Sequence, residues 1–267
     1  MTQRHVVLCA DDYGLAAGVS RGIRDLLGAG RLTATSCMFV HSEFVTQGPL
    51  LAPWSGRADI GLHFTLTADR SAKSLLREAY LGRLDRAAIA GELERQLDIF
   101  TRVMGCAPDY IDGHQHVHLL PDVREPVVNT AMRIGAAVRS TREPIGRAML
   151  ARPSPIEAAF LSWTARPLET LLDENHIATN RGFRGVRTFR ETAPYGALFR
   201  RMIAGANDAC LVMCHPGFAD ATLAERDPIT HQREDELRYL ASDDFPRDLA
   251  DAGLALCRLG EARAAPV

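Results

Sequence analysis

"HVVLCADDYG", residues 5–14, is an apolar run of strand formers that ends on two adjacent acids and a Tyr-Gly pair. A short apolar run bounded by turn signals fits a strand buried on both faces, as in a parallel sheet. Asp11 and Asp12 then stand where a strand gives way to a loop, the face on which a parallel α/β fold collects its functional groups. Seven more strand candidates follow: "TATSCMFV" (33–40), "DIGLHFTL" (59–66), "DYIDGHQHVH" (109–118), "AAVRST" (136–141), "GVRTF" (185–189), "ACLVMCH" (209–215) and "LALCRL" (254–259). Amphipathic stretches at 17–28, 87–104, 122–134, 156–174, 194–204 and 232–241 separate them. This βαβα order implies a mainly parallel sheet with helical crossovers.

Seven or eight such strands in 267 residues favour a barrel over an open doubly wound sheet. With no internal repeat, low-complexity tract or Gly/Ser linker, the chain reads as one domain over residues 1–267. The stretch 144–184, with prolines at 144, 153, 155 and 167, is the least regular and reads as an elaborated connection or a lid.

The charges nearly cancel, 31 basic against 33 acidic, so nothing favours general binding to nucleic acid or to an anionic membrane. The N-terminal apolar run meets two aspartates too soon for a signal peptide or a membrane span, and a soluble, cytoplasmic protein is expected. The six cysteines are scattered; only Cys210 and Cys214 lie close, inside a strand candidate, so buried thiols are expected rather than disulfides or a zinc ribbon. No helix shows a plain exposed apolar stripe, which leaves the oligomeric state, a homodimer included, open.

The polar residues concentrate at strand ends. Asp11 and Asp12 end the first, His63 lies late in the third, Asp112 to His118 close the fourth, and His215 closes the seventh. Taken singly, each has a bland reading. "DDYG" resembles a helix cap with a solvated neighbour, "GLHF" a hydrogen-bonded core histidine, and "CHPG" turn chemistry. "HQHVH" (114–118) is different, because three imidazoles at alternate positions of an extended chain face one way, and Asp112 shares their parity.

Asp12, His63 and one histidine of the 114–118 run would make a mixed oxygen and nitrogen site with open positions. That suits a catalytic divalent ion better than a structural one, which four ligands would close. Such an ion needs a base for its water and an acid for the leaving group. Asp11, beside Asp12, is placed to be the base, and His215 to be the acid. Adjacent strand residues point to opposite faces, so both acids can serve one site only if the backbone turns. The following Gly14 is expected to supply that turn.

With these motifs the sequence resembles the YdjC-like carbohydrate deacetylases, which include chitooligosaccharide deacetylases and the hopanoid-biosynthesis HpnK proteins. "ADDYG" (10–14), "GLHFTLT" (61–67), "DGHQHVHLLP" (112–121) and "MCHPG" (213–217) match in family order, and "QREDELRYL" (232–240) looks like the family's C-terminal helix. The resemblance implies a distorted (β/α) barrel related to the NodB-type polysaccharide deacetylases. It implies one divalent ion, magnesium or zinc foremost, held by Asp12, His63 and His114, with Asp11 as base and His215 as acid. His116 and His118 then fall to supporting or substrate contacts. The segment 68–86 lacks the longer insertion of some chitooligosaccharide enzymes, and "RSTREP" (139–144) could bring Arg139 or Arg142 to the rim or pair with Glu143 at the surface.

The leading functional expectation is therefore metal-dependent removal of an N-acetyl group from an amino sugar or short oligosaccharide. A metal-dependent phosphoesterase and a non-catalytic carbohydrate- or metal-binding barrel are the alternatives.

Overall fold

The computed structural model describes residues 3–67, 70–144 and 146–261. Its strands are β1 (Arg4–Tyr13), β2 (Ala34–Cys37), β3 (Asp59–Phe64), β4 (Tyr110–Gly113), β5 (Ala137–Val138), β6 (Phe183–Arg184), β7 (Cys210–Cys214) and β8 (Leu254–Leu256). All pair in parallel, in the order β5-β4-β3-β2-β1-β7-β6. β8 joins the first residues of β1, on Arg4–Val6, while β2 takes its later part from Cys9 to Tyr13. Helices such as Ala17–Gly28, Arg86–Met104, Arg124–Ile134 and His231–Ala241 fill the connections. Among the described residues no helix is long and apolar enough to cross a membrane.

Burial on both faces follows the strand period of two. Val6, Leu8 and Ala10 of β1 belong to the large apolar cluster shared with the helices. Val7 and Cys9 belong to a smaller cluster with Ala34, Tyr110, Ala137, Phe183, Leu211 and Met213, which fills the space that the curved sheet encloses. Tyr110 crosses that interior, and a Cβ on Gly61 would stand 2.4 Å from its ring.

The barrel is distorted because β5 and β6 do not pair. Asn180, buried, bridges this gap. Its Oδ1 accepts from the Ser140 backbone N–H at 2.9 Å, and its Nδ2 donates to the carbonyls of Ser140 (2.9 Å) and Gly182 (2.7 Å). The Val138 N–H donates to the Ala178 carbonyl beside it at 3.0 Å. A side-chain amide thus does for the seam what a ladder does elsewhere.

Several elements differ from the sequence expectation. "GVRTF" is not a strand: β6 starts two residues earlier and stops at Arg184, before Gly185, whose φ of 98° and 2.0 Å Cβ approach to the Met213 carbonyl exclude a side chain. The 156–174 stretch is two helices, Pro155–Thr164 and Arg166–Glu174, with Pro167 in the first turn of the second. The helix Pro155–Thr164 does carry an exposed apolar side, Ile156, Phe160 and Trp163. Of the cysteines, Cys106 is exposed and the other five are buried and free.

The expected strand at 109–118 stops at Gly113. Gln115 and His116 take left-handed φ of 51° and 60°, so "HQHVH" coils into a 3-10 turn and its imidazoles do not share one face. Gly113 is needed there, since a Cβ would come within 2.8 Å of the His118 nitrogen. His118 is buried, and its Nε2 donates to the Arg139 carbonyl at 2.9 Å, tying the turn to the end of β5.

Two outcomes are expected. Asn180→Ala leaves buried backbone groups unpaired at the seam and should lower unfolding free energy by about 2 kcal/mol, measured by urea denaturation. Burial and the Arg139 charge push His118 down to about 4, below its ordinary 6.5. The unfolded chain therefore binds this proton first as pH falls. The stability tied to a neutral His118 is full above about pH 6.5 and is lost as pH falls through about 4. Between pH 7 and pH 4 the wild type should lose about 3 kcal/mol more than His118→Gln.

Candidate active site

Parity along β1 puts Asp11 in the interior row of Val7 and Cys9, and would send Asp12 to the helices. The register with β2 shifts between Ala10 and Tyr13, and Asp12 has φ of 70°. This bulge, at Asp12 itself, brings both carboxylates to one cavity. The expectation that Gly14 makes the turn is corrected accordingly. Gly14 has φ of 94°, but what it permits is close approach to the Met38 carbonyl, which would lie 2.9 Å from a Cβ at this position.

The same parity places His63 of β3 inward. Its Nδ1 meets Asp112 Oδ1 at 2.6 Å, and its Nε2 lies 3.4 Å from Asp12 Oδ1. His114, first residue of the turn after β4, puts Nδ1 3.1 Å from the same oxygen. Ligand atoms of Asp12, His63 and His114 thus lie within 4.8 Å of one another. Asp12 and His63 are buried, while His114 is partly open to the cavity. With Nδ1–H donating to Asp112, the His63 ring would present its Nε2 lone pair to a cation, the usual outer support of a metal-binding histidine. The donor set fits one divalent ion.

Charges are balanced around this group. The Arg233 guanidinium reaches Asp12 Oδ2 at 2.6 Å and Asp227 at 2.5 Å, leaving Asp12 Oδ1 for the cluster. Burial opposes ionisation of Asp12, yet Arg233 and the two imidazoles outweigh it and hold the carboxyl well below the usual range. Arg139, fully buried, binds both oxygens of Asp11 at 2.8 and 3.0 Å and lies 3.0 Å from Asp112 Oδ2. Ser36 donates to that same Asp112 oxygen at 2.5 Å. Burial would lower His63, but Asp112 and Asp11 prevail and, with no cation bound, push it up to about 10.

Arg139 is therefore beneath the rim, clamped to two acids. Arg142 faces Glu169 and Ser162, and Glu143 is buried with Arg152 and Arg184, so the surface pair expected between these neighbours does not form.

His215 continues the interior row of Leu211 and Met213 beyond β7 and lines the same cavity, about 500 Å³, as Asp11, Asp12, His63 and His114. Burial lowers its pKa although Asp12 draws it upward. His116 also lines the cavity, its ring edge-on to Phe183 at 5.5 Å, whereas His118 is buried behind the turn. All five residues expected in the site converge. Sequence reasoning missed Ser36 and Arg233, whose partners lie 76 and 221 positions away. Arg139 was legible as an inward position, two residues after Ala137.

Comparison with known proteins agrees with this architecture. A family profile described as "YdjC-like protein" matches residues 5–251. The chitooligosaccharide deacetylase of Serratia marcescens is 28% identical over 272 residues, covering 95% of this chain and 97% of that protein. The protein of the same name from Yersinia pestis (strain Pestoides F) is 28% identical over 268 residues, with the same coverage. In fold, the chain is similar to an Enterococcus faecalis V583 protein named for cellobiose-phosphate cleavage, with a TM-score of 0.73, 18% identity and coverage of 97% and 99%. It is also similar to a family 4 acetyl xylan esterase of Clostridium thermocellum, solved with a cobalt ion, at a TM-score of 0.52, 11% identity and coverage of 97% and 90%. The profile match extends over nearly the whole length, and the chain belongs to the YdjC-like family.

Proposed function

We propose that this chain is a carbohydrate N-deacetylase that hydrolyses the acetamide of an N-acetylated amino sugar or short oligosaccharide and releases acetate. The observation that carries the reading is the convergence of Asp12 Oδ1, His63 Nε2 and His114 Nδ1 beside a second carboxylate, Asp11. The names of the curated relatives support the substrate class. Asp12, His63 and His114 would hold one divalent ion, which when bound supplies Lewis acidity and lowers the pKa of water. Two imidazoles and a carboxylate accept zinc, cobalt, nickel, manganese or magnesium, and imidazole ligation favours the first three.

The chain's own groups then handle the protons. Asp11, oriented by Arg139, takes a proton from the water that adds to the acetyl carbon. His215 gives a proton to the sugar nitrogen as the C–N bond breaks and its electron pair goes to that nitrogen. Since burial favours neutral His215, it must first be charged, and the proton gathered from water during attack is the natural source.

A two-ion phosphoesterase is the weaker reading. Among the described residues its second cation would have to sit at Cys9, Asp11 and Asp112, where the Arg139 guanidinium already lies.

The test is acetate release from N-acetylglucosamine oligomers by chelator-treated protein reloaded with single divalent ions, with phosphate release from a phosphate ester as the contrast. Asp11→Asn should lose about 10³-fold in kcat while keeping its metal content. Unchanged turnover would remove Asp11 as base. Adding about 1,000 times Kd of the preferred ion should stabilise the wild type by about 4 kcal/mol, read by thermal denaturation, and Asp12→Ala should lose that shift.

A further inference from the structure

Unlike His63, His215 has a buried Nδ1 with no hydrogen-bond partner among the described residues, so no bond at that atom fixes the ring's direction. What holds it is a closed circuit drawn from three parts of the chain. The His215 backbone N–H donates to Glu236 Oε2 at 2.6 Å, and Glu236 is 1% exposed. Glu236 Oε1 is 3.3 Å from Arg187 Nη1. The Arg187 guanidinium lies 4.5 Å from the centre of the Phe189 ring. That ring meets the His215 imidazole edge-on at 5.4 Å and 75°.

Phe189 is itself strained, with φ of 62°, a conformation that a bulky side chain adopts only when its surroundings impose it. Gln232, from the same helix as Glu236, donates to the Phe189 carbonyl at 3.2 Å and helps impose it. A buried ion pair is seldom retained for stability alone, and here Arg187 and Phe189 line the cavity beside His215.

We propose that Glu236, through Arg187 and Phe189, is the positioning residue that aims His215 at the departing nitrogen. This rests on His215 being the acid. The charged groups around His215 are Asp11 and Asp12 from β1, Glu236 and Arg233 from the helix His231–Ala241, and Arg187 from the loop after β6. Glu236 acts by geometry: it fixes the His215 backbone on one side and, through the cation over Phe189, the ring on the other.

A merely structural role and a positioning role separate by leaving group. An amide nitrogen needs a proton to depart, whereas the phenolate of 4-nitrophenyl acetate does not. Glu236→Gln, Phe189→Leu and His215→Ala should be compared on the N-acetylglucosamine dimer and on 4-nitrophenyl acetate, with the metal-loaded full chain. Glu236→Gln and Phe189→Leu should lower kcat on the amide by about 30-fold with KM nearly unchanged, and lower the ratio of amide to ester turnover by at least about tenfold. His215→Ala should lower the ratio further. Phe189→Leu keeps the ion pair, so it reads the ring contact even where Glu236→Gln loosens the helix. Equal losses on both substrates, or no loss on the amide, would overturn the proposal. An unchanged ratio in His215→Ala would overturn the acid assignment itself, with Glu236 falling as a consequence.

Discussion

A buried guanidinium is the constraint on which this molecule's site depends. Arg139 has no exposed surface, and it lies between Asp11 and Asp112. Removing one partner from such a group costs about 3–5 kcal/mol, because an uncompensated charge is left inside. The three side chains therefore fix one another. Asp112 in turn holds His63 Nδ1, which orients the ring so that Nε2 faces Asp12. A contact below the rim thus governs the orientation of both Asp11 and His63.

Above this layer the backbone departs from regular geometry at residues that line the cavity. Asp12 in β1, Gln115 and His116 after β4, and Phe189 after β6 all take left-handed φ values. Each departure is held by packing or charge: Asp12 by Arg233, the turn by His118 on the Arg139 carbonyl, Phe189 by Gln232. The helix His231–Ala241 supplies Gln232, Arg233 and Glu236, so one helix secures a metal-ligand candidate and the acid candidate together. Arg233 lines the cavity itself, while Gln232 and Glu236 hold Phe189 and His215, which line it too.

The seam between β5 and β6 explains the departure from an ideal barrel. Both strands are two residues long, and Asn180 joins them through its amide. The long connection between them leaves the ladder open at this point. The charges within it, Glu143 with Arg152 and Arg184, are internal to the connection and its docking on β6.

The sequence by itself determined the alternation of parallel strands with helices, the inward rows of β1, β5 and β7, and the polar residues gathered at strand ends. Period-two alternation carries Val7 to Asp11, Ala137 to Arg139 and Leu211 to His215, because on a regular strand parity is local. Parity also misled. It put the three imidazoles of "HQHVH" on one face, which the left-handed Gln115 and His116 undo. Only the tertiary structure decided which buried polar groups meet. Arg233 with Asp12, Ser36 with Asp112 and Glu236 with Arg187 are each separated by tens or hundreds of residues. An isolated stretch of chain carries no trace of them, because a buried charge selects its partner by distance in space.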